Sequence, residues 1–164
     1  MKNTGNLKVL ALGEREIVMT RVFDAPRDLV WDAFTKPELL KRWFDPRGWN
    51  LVVCEVDLRV GGTWRFVLRG PDGSEMGMRG VYREIIPPQR SVHTELFDAF
   101  SDAGESVVTT ELVERDGNTT LNVTVLYPSS EVREAVIQSG MEHGAAESYD
   151  KLAELLVEYR KENQ

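Results

Sequence analysis

Alternating and periodic stretches divide the chain. Residues 15–24, REIVMTRVFD, alternate apolar and polar and are rich in β-branched side chains, which predicts a half-buried strand. Asp24, Ala25 and Pro26 then open a helix, with Pro26 near the first helical position, where a missing N–H is tolerated. That helix, PRDLVWDAFT, places Leu29, Val30, Ala33 and Phe34 on one side. Thr35 and Pro37 break it, and a second short helix, PELLKRWF, runs into the turn cluster Asp45-Pro46-Arg47-Gly48. Strands are predicted over 49–58, 63–69, 76–86, 91–97, 106–114 and 119–127, the last two as a hairpin around Asp116-Gly117-Asn118. Ser129 or Ser130 caps a final helix. Residues 1–13 read as a leader or a short extra strand. The order is a strand, two helices, six strands and one long helix. Segregated helices with sequential strands imply an α+β fold on an antiparallel sheet. With no linker or repeat, residues 1–164 read as one domain with its core at about 15–160.

The same periodicities assign faces. In Thr63–Arg69, Trp64, Phe66 and Leu68 share one face, and Arg65 and Arg69 take the other. In the following strand Met76, Met78 and Tyr82 lie opposite Arg79 and Arg83. Two neighbouring strands thus offer an aromatic and Met face, expected inside, and a basic face, expected in solvent. In the final helix, steps of about 100° give the stripe Ile137, Met141, Ala145, Ser148, Leu152, Leu155 and Tyr159. His143, Glu147, Asp150, Glu154 and Glu158 fall outside it. Gly140 and Gly144 sit within this helix, where each glycine costs about 1 kcal/mol relative to alanine. Two explanations are open. The small residues let the helix approach bulky sheet side chains, or they leave a cavity over Trp64, Phe66 and Met78.

Composition narrows the function classes. The 27 acidic and 20 basic side chains give a net charge of -7, which argues against a nucleic-acid surface and an anionic membrane. Hydrophobic residues make up 41% and charged residues 29%, ordinary for a soluble globular chain. Cys54 is the single cysteine, so no internal disulfide is possible. It reads as a small buried hydrophobe and fits a reducing compartment. No signal-peptide pattern or apolar run of about 20 residues appears, so a cytoplasmic location is expected.

Particular stretches carry a family resemblance. FDAPRDLVWDAFTKPELLKRWF, EVDLRVGGTWRF, GPDG, MRGVYREIIPPQRSVHTELFD, YPSSEVREA and SGMEHGAAESYDKL follow one another across residues 15–157. In this order they resemble the START-like or SRPBCC superfamily, in its branch related to the C-terminal domain of the activator of Hsp90 ATPase. The resemblance implies a helix-grip fold: a curved antiparallel sheet around a long C-terminal helix, with an internal cavity. It also implies a choice of roles, because members include lipid and hormone carriers, polyketide cyclases and aromatases, and chaperone cofactors. One departure falls in Trp43-Phe44-Asp45-Pro46, where glycine is expected in place of Asp45, so this loop near the cavity mouth differs in shape and charge.

The expected cavity lining is Phe34, Trp43, Phe44, Trp49, Trp64, Phe66, Met78 and Tyr82, with Met141, Gly144 and Ala145 from the helix. These aromatic residues also suit a plain core. His93 and Glu95 share one face of SVHTELF with Phe97 and could orient a polar ligand end or act as acid and base. The opposite face, Val92, Thr94 and Leu96, is more apolar, so the inward side is open on sequence alone. No catalytic residue, metal or cofactor is assigned: His93, His143 and Cys54 lack ligand spacing, and no phosphate-loop or dinucleotide fingerprint is present. The leading expectation is binding of a small apolar or aromatic ligand. The alternatives are activation of an Hsp90-type chaperone ATPase and a cyclase-like enzyme. Expected partners are the hydrophobic ligand, such a chaperone and a second copy of the chain as a homodimer, with no nucleic acid and no membrane.

Overall fold

The structure, a computed structural model, describes residues 7–162. An eight-stranded sheet has the order β1-β2-β8-β7-β6-β5-β4-β3, and each neighbouring pair is antiparallel. Its strands are β1 (Lys8–Leu12), β2 (Glu16–Phe23), β3 (Asn50–Val56), β4 (Thr63–Arg69), β5 (Glu75–Ile86), β6 (Arg90–Phe97), β7 (Ser106–Arg115) and β8 (Asn118–Leu126). Helices α1 (Arg27–Thr35) and α2 (Pro37–Trp43) carry the chain from β2 to β3 at the far edge. Helices α3 (Ser130–Gln138) and α4 (Met141–Glu162) close it. This is the α+β helix-grip architecture expected from the sequence. The segment before residue 13 is an edge strand, running from Lys8↔Thr20 to Leu12↔Glu16; positions 1–6 of the expected leader lie outside the described residues.

Alternation sets the inner face. In β2, Ile17, Met19, Arg21 and Phe23 are buried. In β4, Trp64, Phe66 and Leu68 are buried, while Arg65 and Arg69 reach Asp98 and Glu75 on the outer side. Met78 and Tyr82 continue the inner face on β5, whereas Met76, near the hairpin end, is 36% exposed. Register shifts at Leu51/Val53 and Tyr82/Glu84 are irregularities of the kind that bend strands and deepen a sheet's curl. Gly80 has a specific task. Trp64 lies opposite it, and its indole crosses β5 to donate from Nε1 to the Thr94 carbonyl at 3.1 Å. A Cβ on residue 80 would overlap both groups.

The final helix differs from expectation. Ser129 does cap it, its Oγ accepting from the Val132 N–H at 3.1 Å. Yet α3 stops at Gln138, and Gly140 adopts φ +82 between α3 and α4. Gly140 is therefore a left-handed break residue, the conformation glycine adopts without a Cβ penalty, and not a gap in a continuous helix. Ile137, expected on the inward stripe, ends up 40% exposed on α3. In α4 the buried side is Ser148, Tyr149, Leu152, Leu155 and Leu156. This side packs on α1 and α2, and the core closes around Phe23, Trp43, Leu121 and Leu152.

Candidate functional site

The small residues of α4 face the loop between α2 and β3. Ser148 Oγ donates to the Phe44 carbonyl at 2.8 Å. Lys151 Nζ donates to the carbonyl and to Oδ1 of Asp45, each at 2.7 Å. Oδ2 of Asp45 accepts from the Leu51 N–H at 3.2 Å. A Cβ on Gly144 would stand 3.8 Å from Pro46 Cγ. The slim stretch of α4 therefore seats this loop. Asp45, standing where the family resemblance led to glycine, is a buried anchor tying α4 to the start of β3.

Beside this loop the rings form a continuous series. Tyr149 stacks on Trp43 at 5.8 Å, and Phe34 meets Trp43 at 4.9 Å. Phe44 meets Phe66 at 4.9 Å, Phe66 meets Trp64 at 5.0 Å, and Trp64 meets His93 at 5.3 Å. Tyr82 closes on His93 at 5.9 Å. The two ends of the series differ. Trp43 is sealed in the core, its Nε1 donating to the Ala33 carbonyl at 2.8 Å. Phe44, Phe97, Met141 and Ala145 pack against the core while keeping accessible surface.

The open question of the β6 face is settled by these contacts. His93 turns inward onto Trp64 and Tyr82, and with it Glu95 and Phe97. Glu95 lies beside Ser106 on β7. Ser106 lies beside Tyr127, one step beyond the pair Val107↔Leu126. A carboxyl, a hydroxyl and a phenol thus sit in one cross-strand row on the inner surface.

The surroundings perturb this row strongly. Burial pushes the Glu95 carboxyl from 4.5 up to about 7. Burial pushes His93 from 6.5 down to about 4, so its ring is neutral at physiological pH. Burial, and then the charge of Glu95, pushes Tyr127 up to about 12 and raises Tyr149 as well. Both phenols therefore stay protonated, and α4, β6 and β8 share one electrostatic neighbourhood. Glu95 remains half-buried, and its carboxyl has no partner among the described residues. Nδ1 of His93 is buried without a partner among the same residues. Burial raises the Cys54 thiol to about 11, which makes it a poor nucleophile.

Of the expected lining, Trp64, Phe66, Met78, Tyr82, His93 and Glu95 come together on the concave face of β4–β6, with Phe44 against them. Phe34 and Trp43 belong to the ring cluster around Tyr149. Trp49 lies on Gly70, where a Cβ would be 3.0 Å from its indole. Met141 and Ala145 pack on the core from α4, while Gly144 turns to Pro46.

Sequence reasoning passed over Ser106, Tyr127, Tyr149 and Arg21. Tyr149 was findable, four residues after Ala145 and three before Leu152 on one helical face. Arg21 is 2% exposed on β2, bound through Nη1 to Asp150 at 2.7 Å, with its guanidinium 5.3 Å from the Phe23 ring centre. A separate surface hollow at the β1–β2 turn is bridged by Arg133, which donates to the carbonyls of Leu12, Gly13 and Glu16. Among the described residues, no group of three or more His, Cys, Asp and Glu side chains could hold a metal ion. No helix among them is long and apolar enough to cross a membrane.

A curved antiparallel sheet gripping a C-terminal helix, with polar groups set into an aromatic inner face, defines a helix-grip protein. The chain belongs to the family described as Activator of Hsp90 ATPase homolog 1-like protein, which it matches over residues 24–157. A protein from Rhodobacter sphaeroides is 33% identical across 93% of this chain and 99% of its own, with a TM-score of 0.87. A protein from Nitrosomonas europaea is 26% identical across 92% and 99%, with a TM-score of 0.82. An Hsp90 activator from Plasmodium falciparum is 27% identical across 69% and 73%, with a TM-score of 0.55. No curated protein matches the chain.

Proposed function

We propose that the protein binds a small apolar or aromatic molecule between α4 and the concave face of β4–β8, with Glu95 and His93 orienting it. One observation carries this reading. Glu95 lies deep enough for burial to raise its carboxyl to about 7, yet it stays half-buried and unpartnered beside aromatic rings. Two residues away on the same face, His93 Nδ1 is buried without a partner among the described residues, and leaving such a group unsatisfied costs about 1–3 kcal/mol. Apolar walls with a few convergent polar groups are the usual make-up of a ligand site. Phe97, next along this face of β6, and Phe44, against Phe66, keep accessible apolar surface, as do Met141 and Ala145 on α4. Nile red tests the reading. Saturable fluorescence enhancement is expected with the native protein and is lost in Ala145→Trp, provided that variant melts normally. No saturable binding to the native protein contradicts it.

Family membership and the similarity to the Plasmodium falciparum Hsp90 activator support a second reading, that of a cofactor for an Hsp90-type chaperone ATPase. The single cysteine fits action in the cytoplasm. Stimulation of the ATPase at micromolar protein supports this reading, and an unchanged rate counts against it.

A further inference from the structure

We infer that the ligand proposed for this inner face carries a protonated amine at one end of its apolar body, and that the Glu95 carboxylate receives it. This rests on the binding reading above and names the chemistry that the inner wall selects. Glu95 is set into the concave face with Ser106 and Tyr127 in its row and Phe97 next along its strand. The other buried carboxylate, Asp45, is already held by Lys151 at 2.7 Å. The acidic side chains Asp150, Glu154 and Glu158 point out of α4, at 51%, 71% and 66% exposure. An incoming cation therefore meets one free carboxyl.

On the same inner face the Trp64 indole reaches the neighbouring Thr94 carbonyl through Nε1, and Tyr82 meets His93, so the wall beside Glu95 is aromatic, a kind of surface that attracts cations.

An anionic ligand finds no comparable receiver beside Glu95. His93 is neutral at physiological pH. Arg21 lies six residues along β2 from Arg15, the position opposite Tyr127, which is roughly 20 Å of strand. Its Nη1 is bound to Asp150, and its Nε and Nη2 are buried without a partner among the described residues, so what keeps it from serving a ligand held at Glu95 is its distance along the strand. Arg133 on α3 is occupied by backbone carbonyls, and Arg15 and Lys41 are exposed. A fatty acid or phosphate ester would bring its charge to a wall that offers a carboxyl.

Three probes of one shape separate the cases: naphthylmethylamine, methylnaphthalene and naphthoic acid, measured by calorimetry against the native protein and Glu95→Gln. The amine is expected to bind at least about tenfold more tightly than methylnaphthalene, and naphthoic acid more weakly than either. In Glu95→Gln the amine and methylnaphthalene bind alike. A carbon-13 NMR titration of the Glu95 carboxyl gives a readout independent of affinity. Bound amine lowers its pKa, and bound methylnaphthalene, by displacing water, raises it. Equal binding of amine and hydrocarbon by the native protein, or an unmoved Glu95 pKa with amine bound, overturns the inference and leaves the binding reading standing. Failure of all three probes to bind removes both.

Discussion

Replacing Glu95 by glutamine should stabilise the protein, by an amount that grows with pH. The carboxyl titrates at 4.5 when exposed and at about 7 in the fold. Between these values the native state holds a proton that the unfolded chain releases, so stability falls as pH rises. The stability that Glu95 contributes to the native protein is fully present below pH 4.5 and is lost above about 7. Each pKa unit corresponds to about 1.4 kcal/mol, giving a ceiling of about 3 kcal/mol, and water reaching the half-buried carboxyl reduces this to on the order of 2 kcal/mol. His93 acts in the opposite direction. Its stability is full above 6.5 and is lost as pH falls toward about 4. Over the overlap the two slopes oppose, so the native protein is flat with respect to this pair. Tyr82, Tyr127 and Tyr149 stay protonated throughout this window, as does the Cys54 thiol. Urea denaturation of both proteins from about pH 4.5 to about pH 8 isolates Glu95, because other groups cancel in the difference. The glutamine variant's advantage should be smallest at the acid end, climb through the interval and level off above about pH 7. A difference that is constant with pH, or that grows toward acid, would refute the reasoning.

Glycine substitutions should separate packing from conformation, again by urea denaturation. Gly80→Ala should cost more than about 2 kcal/mol, because its methyl group meets the Thr94 carbonyl and the Trp64 indole. Gly144→Ala should gain about 0.5–1 kcal/mol, since it improves helix propensity and its Cβ makes an ordinary contact with Pro46. Equal effects at the two sites would contradict the placement of both. Lys151→Met should destabilise by roughly 1–3 kcal/mol, because it leaves the buried Asp45 carboxylate without its cation. Hydrogen exchange should rise first in the Phe44–Leu51 segment; protection unchanged there would argue against the anchor.

Much of the frame was legible because strands announce themselves by alternation. Thr63–Arg69 reads from the sequence with its observed bounds and with Trp64 and Phe66 inward. The break at Gly140 was not legible from periodicity, since the apolar spacing continues across it from Ile137 to Met141 and only the backbone shows the change of sign in φ. The slim segment of α4 posed a choice between sheet and guest, and its actual neighbour at Gly144 is Pro46, from a loop whose path no periodicity predicts. His93 and Glu95 were visible as a pair, but the opposite face, Val92, Thr94 and Leu96, is more apolar, so the sequence left the inward side open. The fold turns the more polar side inward, a local conflict of the kind expected where function outweighs stability. The row formed by Glu95, Ser106 and Tyr127 depends on the register across three strands, the first step following from the connection at Asp98–Ala103 and the second from the hairpin at Asp116-Gly117.

Native mass spectrometry of the protein purified from its own host tests the central claim most directly, with Ala145→Trp prepared in parallel. The account predicts that the native protein carries a small molecule of defined mass that dissociates on unfolding and is missing from the variant. A native protein of bare mass, or an adduct that Ala145→Trp retains in full, would contradict a ligand held between α4 and the sheet.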